Sequence, residues 1–436
     1  MNSKIKSQQV MVLAAGMFIF TLGFGVIVPV MPYYASDLGA TAFDLGLLMA
    51  TFSVMQFVCA PFWGALSDRI GRKPVIMVGL LGFATSFIIT GFSSHPVMLS
   101  ISETIGQVTG LSPHIGVLFI SELIGGTLSA GIFPAILAFI ADITKPEERG
   151  SLMGLMGAAS GLGIIFGPAL SGFVASAGIT VPFFAAAGIA LANAALSFVL
   201  LPESRVPGPV TEAPQKIGMI NAVRSSLGII FLLTLFISFA GAFIDSTFAY
   251  FVMDKFHMKS EVASPIPALH TSVMLTGPGV MGVVFTAMGI IGVLCQGLLV
   301  GKMINRFGEH ITILIGLMLS GIGLLLLLES MGLVSLVLFT CLISIGFGLV
   351  NPSLNTLVSK KTDAENQGAM LGVLGSFNSL GRAIGPPVGG LLYSVAMWLP
   401  YVVSAAIGVI AAGVLYVSQR GEGPAVQQAE PAHSTK

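Results

Sequence analysis

Residues 64–74, GALSDRIGRKP, gather Asp68, Arg69, Arg72 and Lys73 in one short turn of a chain in which only 9% of residues are charged. The turn lies between two apolar runs, 44–67 and 74–93. Each run is about 20 residues long, the length at which a helix crosses the hydrocarbon core of a bilayer. Extending the count along the chain adds runs at 9–33, 114–141, 151–177, 180–201, 226–252, 278–303, 310–329, 333–359, 369–395 and 398–418. The expected fold is an all-α membrane protein of twelve transmembrane helices.

Composition agrees with that reading. With 55% hydrophobic residues, 19 Lys and Arg, and 19 Asp and Glu over 436 residues, the chain has too little polar surface to coat a water-soluble globule. Its formal net charge of zero offers no electrostatic reason to expect nucleic acid as a partner. Cys59, Cys295 and Cys341 lie in apolar runs without metal-ligand spacing, so neither a disulfide framework, a metal site nor a cofactor is expected. The opening MNSKIKSQQ runs into about 25 mostly apolar residues, too long for a cleaved signal and suited to a retained first span.

Charge position gives an orientation. With the N-terminus cytoplasmic, every Lys and Arg falls on the inward side except Lys255, Lys259 and the intramembrane Arg382, which satisfies the positive-inside rule. Both termini are therefore expected in the cytoplasm of a multi-pass plasma-membrane protein. The proline- and charge-rich PESRVPGPVTEAPQK reads as a linker. It divides the chain into an N-terminal six-helix bundle (1–201), a cytoplasmic linker (202–225), a C-terminal six-helix bundle (226–418) and a disordered tail (419–436).

The two bundles repeat each other. GALSDRIG (64–71) aligns with GKMINRFG (301–308), pairing Gly64 with Gly301, Arg69 with Arg306 and Gly71 with Gly308, while Asn305 replaces Asp68. RGSLMGLMGAASGLGIIFGPALSG (149–172) aligns with QGAMLGVLGSFNSLGRAIGPPVGG (367–390), pairing Gly163, Gly167, Pro168 and Gly172 with counterparts. The offsets are 237 and 218, so the first half carries about 19 extra residues between these motifs, placed most simply in SSHPVMLSISETIGQVTGLSP before the fourth span.

Two repeated six-helix halves with both ends on one side are a transporter architecture, in which the bundles rock about a midplane site. GALSDRIGRKP resembles the signature loop between helices 2 and 3 of the major facilitator superfamily, and GLGIIFGPALSG resembles the helix 5 motif of its drug:proton antiporters. The resemblance implies alternating access in a monomer, with small-molecule substrate, protons and the lipid bilayer as its partners. In that reading Gly64 and Gly71 allow a tight turn and close backbone approach, and Asp68 sits against the start of helix 11. Arg72 pairs with Asp142, and Arg69 adds positive charge. These contacts form a cytoplasmic gate between the halves. Gly163, Gly167 and Gly172, loosened by Pro168, are expected along roughly one face of helix 5, against a helix of the other half.

Ionisable groups inside the membrane are costly and default to functional candidates. Asp245 lies 19 residues from the start of its span, about 28 Å along a helix, and Glu122 lies 20 residues before Asp142, at about the same depth. The resemblance implies that an acid on helix 7 takes part in proton coupling or cation recognition. Drug antiporters carry an arginine in this part of helix 4 where this chain has Glu122. The sequence leaves Glu122 either in the cavity or at the outer rim. Arg382 lies about 21 Å into helix 11 and needs an anion, either Asp245 or a substrate group. Helix 10, SIGFGLVNPSLNTL, has no acid.

The leading expectation is proton-coupled efflux of lipophilic, cationic small molecules. The alternative is a facilitator of the same fold for one metabolite or organic anion. No nucleophile–base pair, metal constellation or phosphate-cradling loop points to an enzyme.

Overall fold

Inside a bilayer every backbone N–H and C=O must find its partner within the chain, so long apolar runs fold as helices. The computed structural model describes residues 3–109, 112–144, 146–204, 223–225, 227–268, 271–362 and 367–421, with backbone alone at 3–8, 104–109, 146–151, 154, 367–369 and 420–421. Most of the expected linker and nearly all of the expected tail lie outside the described residues.

Ten helical stretches in the described residues are long and apolar enough to cross a membrane. One of them, Gly277–Leu328, is 52 residues long and breaks at Gly308, so it supplies two crossings. The 29-residue helix Gln367–Val395, which carries Arg382, supplies one more, which brings the crossings to the expected twelve. In chain order the first span is Ser3–Ile27, followed by the short helix Met31–Asp37, the second Ala42–Ile70 and the third Arg72–Gly91. The fourth is Pro113–Ser129 continued by Ile132–Ile143, the fifth Pro146–Ala175 and the sixth Val181–Leu200. The seventh is Gly228–Phe256, the eighth and ninth lie either side of Gly308, the tenth is Leu333–Lys360, the eleventh Gln367–Val395 and the twelfth Leu399–Gly421.

The repeat is visible in the backbone. Gly71, between the second and third spans, has φ 104° and ψ 164°; Gly308, its partner at offset 237, has φ 79° and ψ 168°. Both halves thus turn through the same left-handed conformation, which glycine adopts without steric cost. The second span is started by a reciprocal cap: Thr41 N–H donates to Asp44 Oδ2 at 2.8 Å, and Asp44 N–H donates to Thr41 Oγ1 at 3.2 Å.

Two elements are absent from the sequence reading. The extra segment of the first half forms a helix, Pro96–Thr109. The connection after the seventh span forms an antiparallel hairpin, Ser264–Ala268 with Thr271–Leu275, in register Ile266 opposite Val273. The hairpin marks one end of the molecule and the Arg72 turn the other.

At the hairpin end the halves touch. Tyr250 Oη donates to Ala40 O at 2.8 Å across the two halves, and a methyl placed on Gly46 would lie 2.3 Å from Pro386 O. At the Arg72 end the fifth, eighth and eleventh spans carry glycines with open space beside them: methyls placed on Gly157, Gly161, Gly297, Gly301, Gly372 or Gly375 would meet no atom within 4 Å. The protein is closed at the hairpin end and open at the Arg72 end.

Candidate functional site

The opening lies over a central cavity of about 270 Å³ between the halves. The first three spans and the short helix Met31–Asp37 present Phe24, Met31, Met49, Phe52, Phe83 and Phe87, with Ser53, Gln56 and Ser86 as uncharged polar groups. The second half contributes Phe285 and Pro386. Three ionisable residues reach this one space: Glu122 from the fourth span, Asp245 from the seventh and Arg382 from the eleventh. The equal depth computed from helix rise thus corresponds to a shared cavity, and Glu122 lines it instead of the rim.

Arg382 Nη2 lies 3.0 Å from Asp245 Oδ2, in a pair that is half open to the cavity, with the arginine side chain 58% exposed and the carboxylate 35%. Glu122 is half-buried and has no hydrogen-bond or ion-pair partner among the described residues. The three ionisable groups therefore divide into one ion pair and one acid outside it.

Behind the ion pair a second chamber of about 230 Å³ lies within the second half. Asp245, Arg382 and Phe285 line both spaces, so they form the wall between them. Its polar lining is Ser238, Thr340, Asn351 and Asn378, and Asn378 Nδ2 donates to Ser238 Oγ at 2.8 Å. The amides Gln56 and Asn378 are not singled out by the sequence, whereas Asn351 stands in the acid-free helix 10. A signal existed, since each interrupts an apolar run, but an uncharged amide is cheaper to bury than an ion and stands out less.

Arg72 is buried at the turn. Its Nε lies 3.1 Å from Asp142 Oδ2, Nη2 2.7 Å from Asp68 Oδ1, and Nη1 donates to Ser67 Oγ at 2.7 Å. Glu203, just past the sixth span, accepts from the backbone N–H groups of Arg72 and Lys73 at 2.8 and 3.1 Å, an anion on the N-terminus of the third span. Arg69 is exposed.

Two details differ from the gate expectation, and a third falls outside the described residues. Every described partner of Arg72 belongs to the first half or, for Glu203, to the residues just after it, so in this conformation its described contacts tie that half together and do not bridge to the other. Gly71 carries the tight turn, whereas Gly64 makes no close approach: a methyl there would meet nothing within 4 Å. The expected docking of Asp68 on the start of the eleventh span falls at residues 363–366, which lie outside the described residues.

The fifth-span motif also divides. Methyls on Gly163 and Gly167 would collide with the first span, 2.6 Å from Phe18 O and 2.6 Å from Gly25 Cα, so these two glycines pack within their own half. Gly172 instead faces Gly279 of the eighth span, and Pro168 O lies 3.0 Å from a methyl on Gly282, which are contacts between halves. The single face expected for all three is corrected by helix geometry: four residues return to nearly the same side, but the nine from Gly163 to Gly172 turn about 180° away.

Two membrane-embedded bundles around a charged, aromatic-lined cavity open at one end define a solute transporter, not an enzyme. The comparisons carry this further. The family model described as Major Facilitator Superfamily matches residues 13–278 and 230–435. Multidrug resistance protein 1 of Bacillus subtilis is 33% identical over 402 residues, covering 91% of this chain and 94% of that protein. Quinolone resistance protein NorA of Staphylococcus aureus is 30% identical over 415 residues, covering 94% and 96%. Among solved structures, a bacterial homologue of the human lysosomal transporter Spinster, inward-facing and unoccupied, superposes with a TM-score of 0.70 at 15% identity, covering 95% of this chain and 97% of that one. The human organic anion transporter MFSD10 gives 0.63 at 22%, covering 94% and 99%. The chain belongs to the major facilitator superfamily.

Proposed function

We propose that this protein exports lipophilic, cationic small molecules across the plasma membrane in exchange for protons. The observation that carries the reading is Glu122, an acid without a partner among the described residues, in an aromatic- and methionine-lined cavity that also holds the Asp245–Arg382 pair. A carboxylate among aromatic faces attracts a cation, and the same carboxylate can release it by taking a proton instead. Asp245 joins the exchange when Arg382 is drawn away from it. The drug-resistance names of the relatives support this substrate class. The orientation rests on the lysine and arginine bias, which puts both termini and the Arg72 end in the cytoplasm; the open cavity then faces the side from which an exporter loads. The working unit is a monomer.

The test is transport in inside-out vesicles with an imposed pH gradient, using several unrelated lipophilic cations. Gradient-dependent accumulation is expected for the native protein. Glu122→Gln should reduce it at least about tenfold, the effect of losing about 1.4 kcal/mol of site energy, and Asp245→Asn should uncouple uptake from proton movement. Normal transport and proton flux in both variants would remove these assignments.

The half-exposed guanidinium of Arg382 favours a second reading, a facilitator for one organic anion. Saturable, gradient-independent uptake of a carboxylate, abolished by Arg382→Ala, would select it.

A further inference from the structure

The extra segment of the first half has no counterpart in the second and no role in the cavity. It folds as the 14-residue helix Pro96–Thr109, about 21 Å long, too short to cross a bilayer and long enough to lie along one. Its depth is constrained at both ends. Only residues 92–95 separate it from the end of the third span at Gly91, with a tight turn in which His95 N–H donates to Phe92 O at 2.8 Å, and only residues 110–112 separate it from Pro113. Three or four residues reach at most about 14 Å, so the helix stays beside the hydrocarbon boundary at the hairpin end.

Around its axis the sequence divides into three sectors. At about 100° per residue, positions 97, 101, 105 and 108, occupied by Val, Ile, Ile and Val, fall within an arc of about 80°. Ser102 lies about 100° to one side of the centre of that arc, and it is the protein-facing position: it is fully buried and its Oγ donates to Pro113 O at 2.6 Å. The polar positions 100, 103, 104 and 107 lie about 110° to the other side. At its described positions, Val97 and Ile101, this sector is neither on the protein nor on the polar side. Val97 and Ile101 are 56% and 54% exposed.

We propose that this helix is an interfacial anchor, resting its Val97–Ile101 stripe on the acyl-chain boundary of the hairpin-end leaflet while Ser102 ties it to the fourth span. The stripe continues the surface that the third and fourth spans already present to lipid, and its polar sector faces water. Glu103 is the one charged residue of the helix, so the attachment rests on apolar burial without attraction to anionic headgroups.

Tryptophans introduced singly into the full-length protein test this: Val97→Trp, Ile101→Trp, Ser100→Trp and Glu103→Trp, each reconstituted in phosphatidylcholine vesicles and read against the constant signal of Trp63 and Trp398. Brominated acyl chains are expected to quench the added emission at 97 and 101 at least about twofold more than at 100 and 103, with aqueous acrylamide giving the reverse order. All four positions lie outside the transport cavity, so retained uptake of a lipophilic cation reports correct folding. Equal acrylamide quenching at all four would mean that the stripe faces water. Protection of 97 and 101 from both quenchers would mean that protein covers it, such as a second copy of the chain. Either result overturns the proposal.

Discussion

The two halves close the same turn with the same ion pair in opposite polarity. Arg72 pairs with Asp142 in the first half; offsets of 237 and 218 carry these positions to Glu309 and Lys360, which pair at 2.5 Å in the second. The geometry is kept and the charges are exchanged. Their settings differ more than their distances. The arginine of the first pair is 7% exposed and is enclosed by Asp68, Asp142, Ser67 and the Glu203 cap, whereas the lysine of the second is 64% exposed and the position matching Asp68 is the neutral Asn305. Duplication conserves the need for an ionic tie between the start of one helix and the end of another, and the neighbours decide which sign can stand where.

This contrast breaks most sharply under charge exchange. Arg72→Glu with Asp142→Lys puts a carboxylate among Asp68 and Glu203, and should lower stability by about 3–5 kcal/mol even though the pair itself is restored. The matching exchange Glu309→Lys with Lys360→Glu should cost less, because the Lys360 side of the pair is 64% exposed even though Glu309 is only 12% exposed. Thermal unfolding of the purified protein in detergent reads both. Equal losses would show that the surroundings do not set the polarity.

A smaller difference is expected at the two turn glycines. Gly71→Ala and Gly308→Ala each force a side chain into positive φ, at about 1 kcal/mol. Only at position 71 would the new methyl also lie 2.3 Å from a Glu203 carboxylate oxygen, displacing the cap of the third span. Position 308 has no atom within 4 Å. Gly71→Ala should therefore cost about 1–2 kcal/mol more than Gly308→Ala.

The smallest effect separates the pairs by salt. Lys360→Ala should change the unfolding midpoint less near 1 M salt than at low ionic strength, because the exposed lysine side of the pair is screened within about 3 Å there. Asp142→Ala should keep most of its effect at both, since the buried Arg72 is shielded from counterions.

Much of the fold was legible before any coordinates. Twelve apolar runs of bilayer length, a duplicated glycine pattern and a charge-dense turn are local properties, and lipid leaves such segments no alternative to helix. The site was legible in part. Asp245, Glu122 and Arg382 stood out because ions in a membrane are rare, and helix rise alone put the two acids at one depth. Rise gives height and not azimuth, so it could not say that Glu122 faces the cavity or that Gly172 turns away from Gly163 and Gly167. Nor could it find Asn378, whose meaning comes from the chamber it lines.

By itself, then, the sequence determined which segments cross the membrane, where the chain repeats and which scarce charges demand partners, because these follow from transfer energies and helix period along one chain. Only the tertiary structure decided that Arg382 satisfies Asp245 and leaves Glu122 alone, that Arg72 serves its own half in this conformation, and that the bundles meet at the hairpin end and part at the other. Such facts depend on how helices rotate and pack across hundreds of residues, and neither hydropathy nor spacing encodes that.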